Sequence, residues 1–335
     1  MDSVTQFVLG AAVGEAVLGK KIGNKALLIG GIAGTIPDLD VLLNFIYKDD
    51  YSQLLIHRSY SHSVFVHVLL ALPFTWLFYV LFKKNISFKQ WYLLWFLGLS
   101  THALLDCCTT YGTRFFLPFS NYQVAFNNIS IIDPLYTLPF FFGLLILMFF
   151  KKENPLRFKL FKWTVFYSFF YMGLTFVFKY MAHNKFEEAL TKNEIKYDEL
   201  NSTPTILNSI LWNSIAYNDS NAYLSEYSLI KRKPIQIHTY KRNLHLEKGF
   251  ESKELDAVKW FSDGQYIIEK ENESTINFYV IKWGRFDYHK TTTKEVFFFY
   301  YQLTKTDMGV VLKASDRRPN KSMGTMFNEL MNEVF

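Results

Sequence analysis

Residues 88–112 read FKQWYLLWFLGLSTHALLDCCTTYG. The apolar run is long enough for a membrane helix, yet it ends in His102 and Asp106. The i, i+4 spacing puts both side chains on one helix face. Charged or imidazole groups at bilayer depth are costly, so they usually mark function and have a partner. Two more segments share this character. Pro37-Asp-Leu-Asp40 carries Asp38 and Asp40 behind a glycine-rich apolar stretch, and residues 57–63 read HRSYSHS. Asp38, Asp40, His57, His62, His102 and Asp106 together point to a membrane-embedded metal centre.

The rest of the chain divides sharply. Half of the 335 residues are hydrophobic and 19% are aromatic, but the apolar runs are concentrated before about residue 182. Six membrane segments are expected, at roughly 4–19, 25–47, 63–82, 88–108, 132–150 and 161–181. The expected fold is an α-helical polytopic membrane domain over 1–182, followed by a soluble, strand-rich α+β domain over 183–335. In the second part the runs Ile235–Tyr240, Gln265–Glu269, Thr275–Trp283 and Val296–Leu303 read as strands. Leu255–Phe261 reads as a helix, and Asn201–Thr205 reads as a linker. Met323, Phe327, Leu330 and Val334 recur at helical spacing near the end. His183, His238, His245 and His289 are scattered, and no role is assigned to them.

The net charge of +6 does not call for nucleic acid, because membrane topology accounts for it. Lys20, Lys21 and Lys25 lie in the first gap, and Lys83, Lys84 and Lys89 lie in or beside the third. Lys151, Lys152, Arg157, Lys159 and Lys162 lie in the fifth. The even gaps carry Lys48, Asp49, Asp50 and Arg58, and then only Arg114. The positive-inside rule puts the odd gaps in the cytoplasm and the C-terminal domain outside. The first apolar run has no basic leader, so no removable signal peptide is expected. Cys107 and Cys108 are adjacent and apolar in context, which suits packing rather than a disulfide framework.

This topology sets the depth of the polar groups. At about 1.5 Å per residue, Asp38 and Asp40 lie about 20–23 Å above Lys25, and His102 and Asp106 about 20–25 Å above Lys89. His67 and His62 lie about 24–31 Å above Lys83. Three helices therefore deliver ligand-type side chains to one layer near the outer face. Pro37 and the glycines before it favour a bent or broken helix, which would let Asp38 and Asp40 face one cavity. Arg58 is a candidate clamp for an anion, and Ser61 and His67 are candidate orienting partners. The acid at Asp106 can bind a metal with His102 or hold its other nitrogen. Thr109 is a polar neighbour on the same segment, and Asp133 before Pro134 reads as a helix cap.

The motifs Pro37-Asp-Leu-Asp40, His57-Arg-Ser-Tyr-Ser-His62-Ser and His102-Ala-Leu-Leu-Asp106-Cys-Cys-Thr109-Thr-Tyr-Gly112, with Pro118 shortly after, resemble the YdjM-like family of bacterial inner-membrane proteins. That family is described as membrane-bound metal-dependent hydrolases. Its pattern has a histidine in the N-terminal motif where this chain has Gln6. Its HRG and THS elements correspond to Ser59 and Ser61 here. The family is distantly similar to zinc-dependent phospholipase C and related nuclease enzymes, which implies phosphoester hydrolysis.

The expectation is thus a multi-pass inner-membrane hydrolase with one or two divalent ions, zinc or alternatively manganese or iron. Six candidate ligands exceed the three protein ligands of a mononuclear catalytic zinc. Arg58 and Asp106 would take part in catalysis, and Gln6, His67, Ser61 and Thr109 would support the ligands. The partners would be membrane lipids and an amphiphilic substrate. The alternatives are an ion or proton-coupled transporter, and a non-catalytic relative acting through its outer domain.

Overall fold

The computed structural model describes residues 1–82, 85–285, 296–297, 299–314 and 323–335. Lys83, Lys84 and His289, and the side chain of Met323, lie outside the described residues. The chain forms two compact units, 1–47 with 56–175, and 48–55 with 176–335.

In the first unit, α1 (Ser3–Ile22) is capped by Asp2, whose carboxylate accepts from the amides of Val4 and Thr5. Gly23 ends it at φ 58°, ψ −134°, a conformation essentially open only to glycine. The chain then reverses into α2 (Asn24–Thr35). Gly10 and Gly14 of α1 meet Ala26, Gly30 and Gly34 of α2 backbone to backbone, with no room for a Cβ. Small residues at four-residue spacing allow that close approach in membrane helix pairs.

Pro37 cannot continue the α-helical hydrogen bonding. The chain bends by 49° there and enters a 3-10 helix, Pro37–Phe45. At three residues per turn, positions i and i+2 stand roughly 120° apart, against roughly 160° on an α-helix. This tighter winding turns Asp38 and Asp40 toward the same interior. After α3 (Asp50–Ile56), α4 (Val64–Leu81) starts at Ser63, whose hydroxyl accepts from the Val66 amide. Next come α5 (Phe88–Cys107), α6 (Pro134–Leu147) and α7 (Pro155–Lys192). Asp133 is the cap of α6 and also accepts from the Tyr171 hydroxyl. Trp91, Leu94, Trp95 and Leu99 of α5 pack with Leu18, Ala33 and Ala71 in one core.

Each of the six expected membrane segments falls on a helix or on the bent α2/3-10 pair. However, among the described residues only α4 and α7 are long and apolar enough to cross a bilayer, with the bent pair as a third. Six spans are therefore not shown. α6 is short, and α5 carries Lys89, Gln90, His102 and Asp106 along its length.

Among the described residues, the second unit holds two four-stranded antiparallel sheets. One has order β1–β4: Glu199–Pro204, Leu211–Tyr217, Asn221–Ser228 and His238–Lys241. The other has order β5–β8: Tyr266–Asn272, Thr275–Val280, Phe299–Thr306 and Gly309–Ala314. The expected linker at 201–205 is mostly strand β1. Pro204 fits because it ends an edge strand, where a missing amide donor is tolerated. Ile215 and Leu224 pack against Ile267, Tyr279 and Ile281, while Phe186 and Leu190 of α7 pack with Ala216. α8 (Lys253–Ser262) lies between the sheets in sequence. α9 (Met323–Val334) buries Leu330 and Val334 against Leu211. Within this unit the amide of Ala314 donates to Asp50 of α3 at 2.7 Å.

Glu226 of β3 is mostly buried, its side chain 17% exposed, with its Oε2 3.6 Å from Arg285 and 3.9 Å from His238. Burial pushes its carboxyl up to about 7, against the pull of Arg285 and with a further push from Glu333. A carboxyl raised on folding leaves stability intact below its unfolded pKa and removes it as pH rises through the folded value. The second unit should therefore lose on the order of 3 kcal/mol between about pH 4.5 and pH 7.5 through this group. Glu226→Gln should abolish that slope in chemical unfolding followed by tryptophan fluorescence. An unchanged slope would contradict the assignment.

Candidate metal centre

Two imidazoles define the centre. His102, on the last turns of α5, places Nδ1 2.6 Å from the Gly34 carbonyl. A carbonyl only accepts, so Nδ1 carries the proton and Nε2 presents a bare lone pair. His62 lies in the short 3-10 turn Tyr60–His62. Its Nδ1 is 2.9 Å from the Ser61 hydroxyl, which itself donates to Asp40 Oδ2 at 2.7 Å. Because the hydroxyl proton is committed to Asp40, His62 Nδ1 is the donor there. In the neutral ring, Nε2 of His62 is then an acceptor as well.

The two Nε2 atoms stand 3.2 Å apart. Asp38 Oδ1 lies 3.6 Å from His62 Nε2 and 3.3 Å from His102 Nε2. Asp106 Oδ2 lies 3.2 Å and 3.7 Å from the same two atoms. Asp38, His62, His102 and Asp106 can each offer one ligand atom, all within 4.8 Å of one another. A tetrahedron with bonds of about 2.1 Å has edges of about 3.4 Å, which matches these separations. Four potential ligand atoms converge, and Asp106 Oδ2 makes no well-formed hydrogen bond, although the Arg58 guanidinium lies 3.1 Å from it. Two carboxylates packed against two imidazoles call for positive charge, which Arg58 and the Met1 amine supply on one side of Asp106 and a divalent cation would supply between the four groups. The residues therefore fit a divalent metal ion.

The supporting residues lock this geometry. Asp106 Oδ1 accepts from Gln6 Nε2 at 2.9 Å and pairs with the Met1 amine. Gln6 also donates to the His102 carbonyl at 3.2 Å. Thr109 accepts from Arg58 at 3.0 Å and donates to the Asp106 carbonyl at 2.8 Å. His67 Nε2 is 2.8 Å from the Ser61 carbonyl, fixing the turn that carries His62.

Of the six expected ligands, four converge. Asp40 and His57 instead form an adjacent pair, 3.1 Å apart. Asp40 also accepts from the Arg58 amide at 2.9 Å, so it braces the 57–62 turn and His62. Arg58 sits at φ 55° and points inward. Its Nε is 3.1 Å from Asp106 Oδ2, and its guanidinium stacks on Tyr111 at 4.8 Å. It faces Asp106 rather than reaching outward as a fork. Sequence reading missed the Gly34 carbonyl, because a backbone acceptor has no letter of its own. It also missed Tyr111, whose signal was its place directly after Thr109-Thr110.

The profile of a family described as YdjM inner membrane protein matches residues 1–185. No curated protein and no solved structure matches the chain.

Proposed function

The chain belongs to the YdjM inner membrane protein family, and on that premise we propose that it is a membrane-bound metal-dependent hydrolase acting on a phosphoester of an amphiphilic substrate. The observation that carries this reading is the convergence of two imidazole nitrogens and two carboxylates. Asp38, His62, His102 and Asp106 would hold the ion, with zinc, manganese or iron(II) all compatible with nitrogen and oxygen donors. A divalent ion supplies Lewis-acid polarisation and a nucleophile at neutral pH.

The chain's own residues do the rest. The side chains of His62, His102 and Asp106 are fully buried, whereas Asp38 is 23% exposed. Substrate thus approaches on the Asp38 side. The same 3-10 helix exposes Leu39, Leu42 and Phe45, and Tyr60 is exposed on the facing turn. A molecule reaching Asp38 crosses apolar surface, which favours a lipid-like substrate entering from the bilayer. Arg58 keeps Asp106 aligned and adds positive potential for an anionic group. Asp40 and Ser61 keep His62 Nε2 directed at the ion.

In this reading the protein sits in a bacterial inner membrane as a multi-pass chain, with residues 183–335 outside. Against a conduit stands Glu15, the acid inside α1 toward the other face, which is locked to Arg157. Elemental analysis of the purified protein should find about one divalent ion per chain, or two if Asp40 and His57 hold another. Turnover of a panel of lipid phosphoesters should stop on chelation and return with zinc or manganese. Metal without turnover would make the protein a non-catalytic relative. Absence of both would reject the reading.

A further inference from the structure

The far end of the first unit carries a pocket of 440 Å³ between the α1–α2 turn and the α6–α7 loop. Gly23, Asn24 and Lys25 form one side, and Phe149, Lys151 and Lys152 the other. Its walls are fixed. Lys152 Nζ donates to the Lys21 carbonyl at 2.8 Å, and Asn24 donates to the Met148 carbonyl at 3.0 Å.

The charge there is unbalanced. Arg157 lines the pocket but is neutralised by a two-pronged pair with Glu15, at 2.7 and 2.6 Å. Lys25, Lys151 and Lys152 remain against Glu153 alone, three positive charges to one negative. Lys152 is 3.8 Å from Glu153, while Lys25 and Lys151 have no carboxylate partner among the described residues. Beside these ammonium groups Phe149 is 82% exposed, and Met148 is exposed as well. Cationic and apolar surfaces side by side at a membrane boundary fit a molecule with an anionic head and an acyl tail.

Asp2 begins α1 close to Asp106, and Gly23 ends it 20 residues on. That rise is roughly 30 Å, the thickness of a hydrocarbon core. The pocket therefore lies at the end of α1 away from the metal cluster and is not the substrate site; with α1 laid across the bilayer it meets the opposite leaflet. We propose that it binds the phosphate headgroup of an anionic phospholipid from that leaflet. The assignment does not depend on the hydrolase reading.

Native mass spectrometry of the full chain, titrated with phosphatidylglycerol or phosphatidylcholine, tests it. The variant Lys25→Ala/Lys151→Ala/Lys152→Ala should lose at least tenfold affinity for phosphatidylglycerol, with little change for phosphatidylcholine. Lys20→Ala/Lys89→Ala/Lys162→Ala, which removes equal charge outside the pocket, should retain wild-type binding. Lys151→Glu gives a single-site check should the triple variant prove unstable, and it should also lose binding. Equal loss in both triple variants would mean diffuse surface charge and overturn the site. Unchanged binding in the pocket variants would overturn it too. Displacement of the lipid by millimolar inorganic phosphate would reject the lipid in favour of a free phosphate.

Discussion

His62→Ala should strip the metal from the membrane domain while the protein still folds and inserts. Asp38→Ala, His102→Ala and Asp106→Ala should do the same, because each removes one of four converging donor atoms. Orienting partners of a ligand typically contribute about 10–100-fold in metal affinity, so loss of a ligand should exceed that. Asp40→Asn and Ser61→Ala, which act on His62 through its Nδ1, should fall within that smaller range. Competition titrations with a metallochromic chelator would separate the two groups. Equal, total loss for Asp40→Asn would make Asp40 a ligand; full retention in His62→Ala would end the assignment. Stability offers an independent sign. Metal at 100 times its dissociation constant adds about 2.7 kcal/mol to the folded state. Without metal, Asp38→Ala relieves repulsion and should be at least as stable as the parent. The order should reverse when zinc is added.

Much of the centre was legible because intramembrane acids and imidazoles stand out against apolar sequence. The i, i+4 pair His102/Asp106 and the residues after Pro37 could each be placed from local geometry. Sequence could not sort ligands from braces. Asp38 and Asp40 look equivalent, and only the 3-10 winding sends one to the Nε2 side of His62 and the other to its Nδ1 side. The helical region was found, but six spans are not shown, since α6 is short and the apolar runs of α1 and α5 contain polar groups that pack inside the unit. Strands β2 and β3 went unread for a physical reason. Every residue of Leu211–Tyr217 is buried, because one face meets the other sheet and the opposite face meets α7. A strand buried on both faces loses the alternation that marks a half-exposed one. Pro204 suggested a break, and it is instead the end of an edge strand.

The largest effect on stability should come from Arg157→Ala. Arg157 is 2% exposed, and each of its three nitrogens has an acceptor. Nε and one terminal nitrogen hold both oxygens of Glu15. The other terminal nitrogen reaches Asn24 Oδ1 at 2.7 Å and the carbonyls of Phe150 and Leu147 at 2.8 and 3.2 Å. One guanidinium thus ties α1, the start of α2 and the end of α6 to the first turn of α7. Its removal leaves a buried carboxylate with no counter-charge, which costs about 3–5 kcal/mol. Arg157→Lys should recover little, since an ammonium cannot serve five acceptors in a planar fork. Replacing both partners, as Glu15→Leu/Arg157→Met, should be much milder than Arg157→Ala, because no unpaired charge remains. Unfolding in a mild detergent, read by circular dichroism, gives the three values. A loss below about 1 kcal/mol for Arg157→Ala would mean that water reaches Glu15. A double variant as damaged as the single one would place the stabilisation in packing rather than in charge.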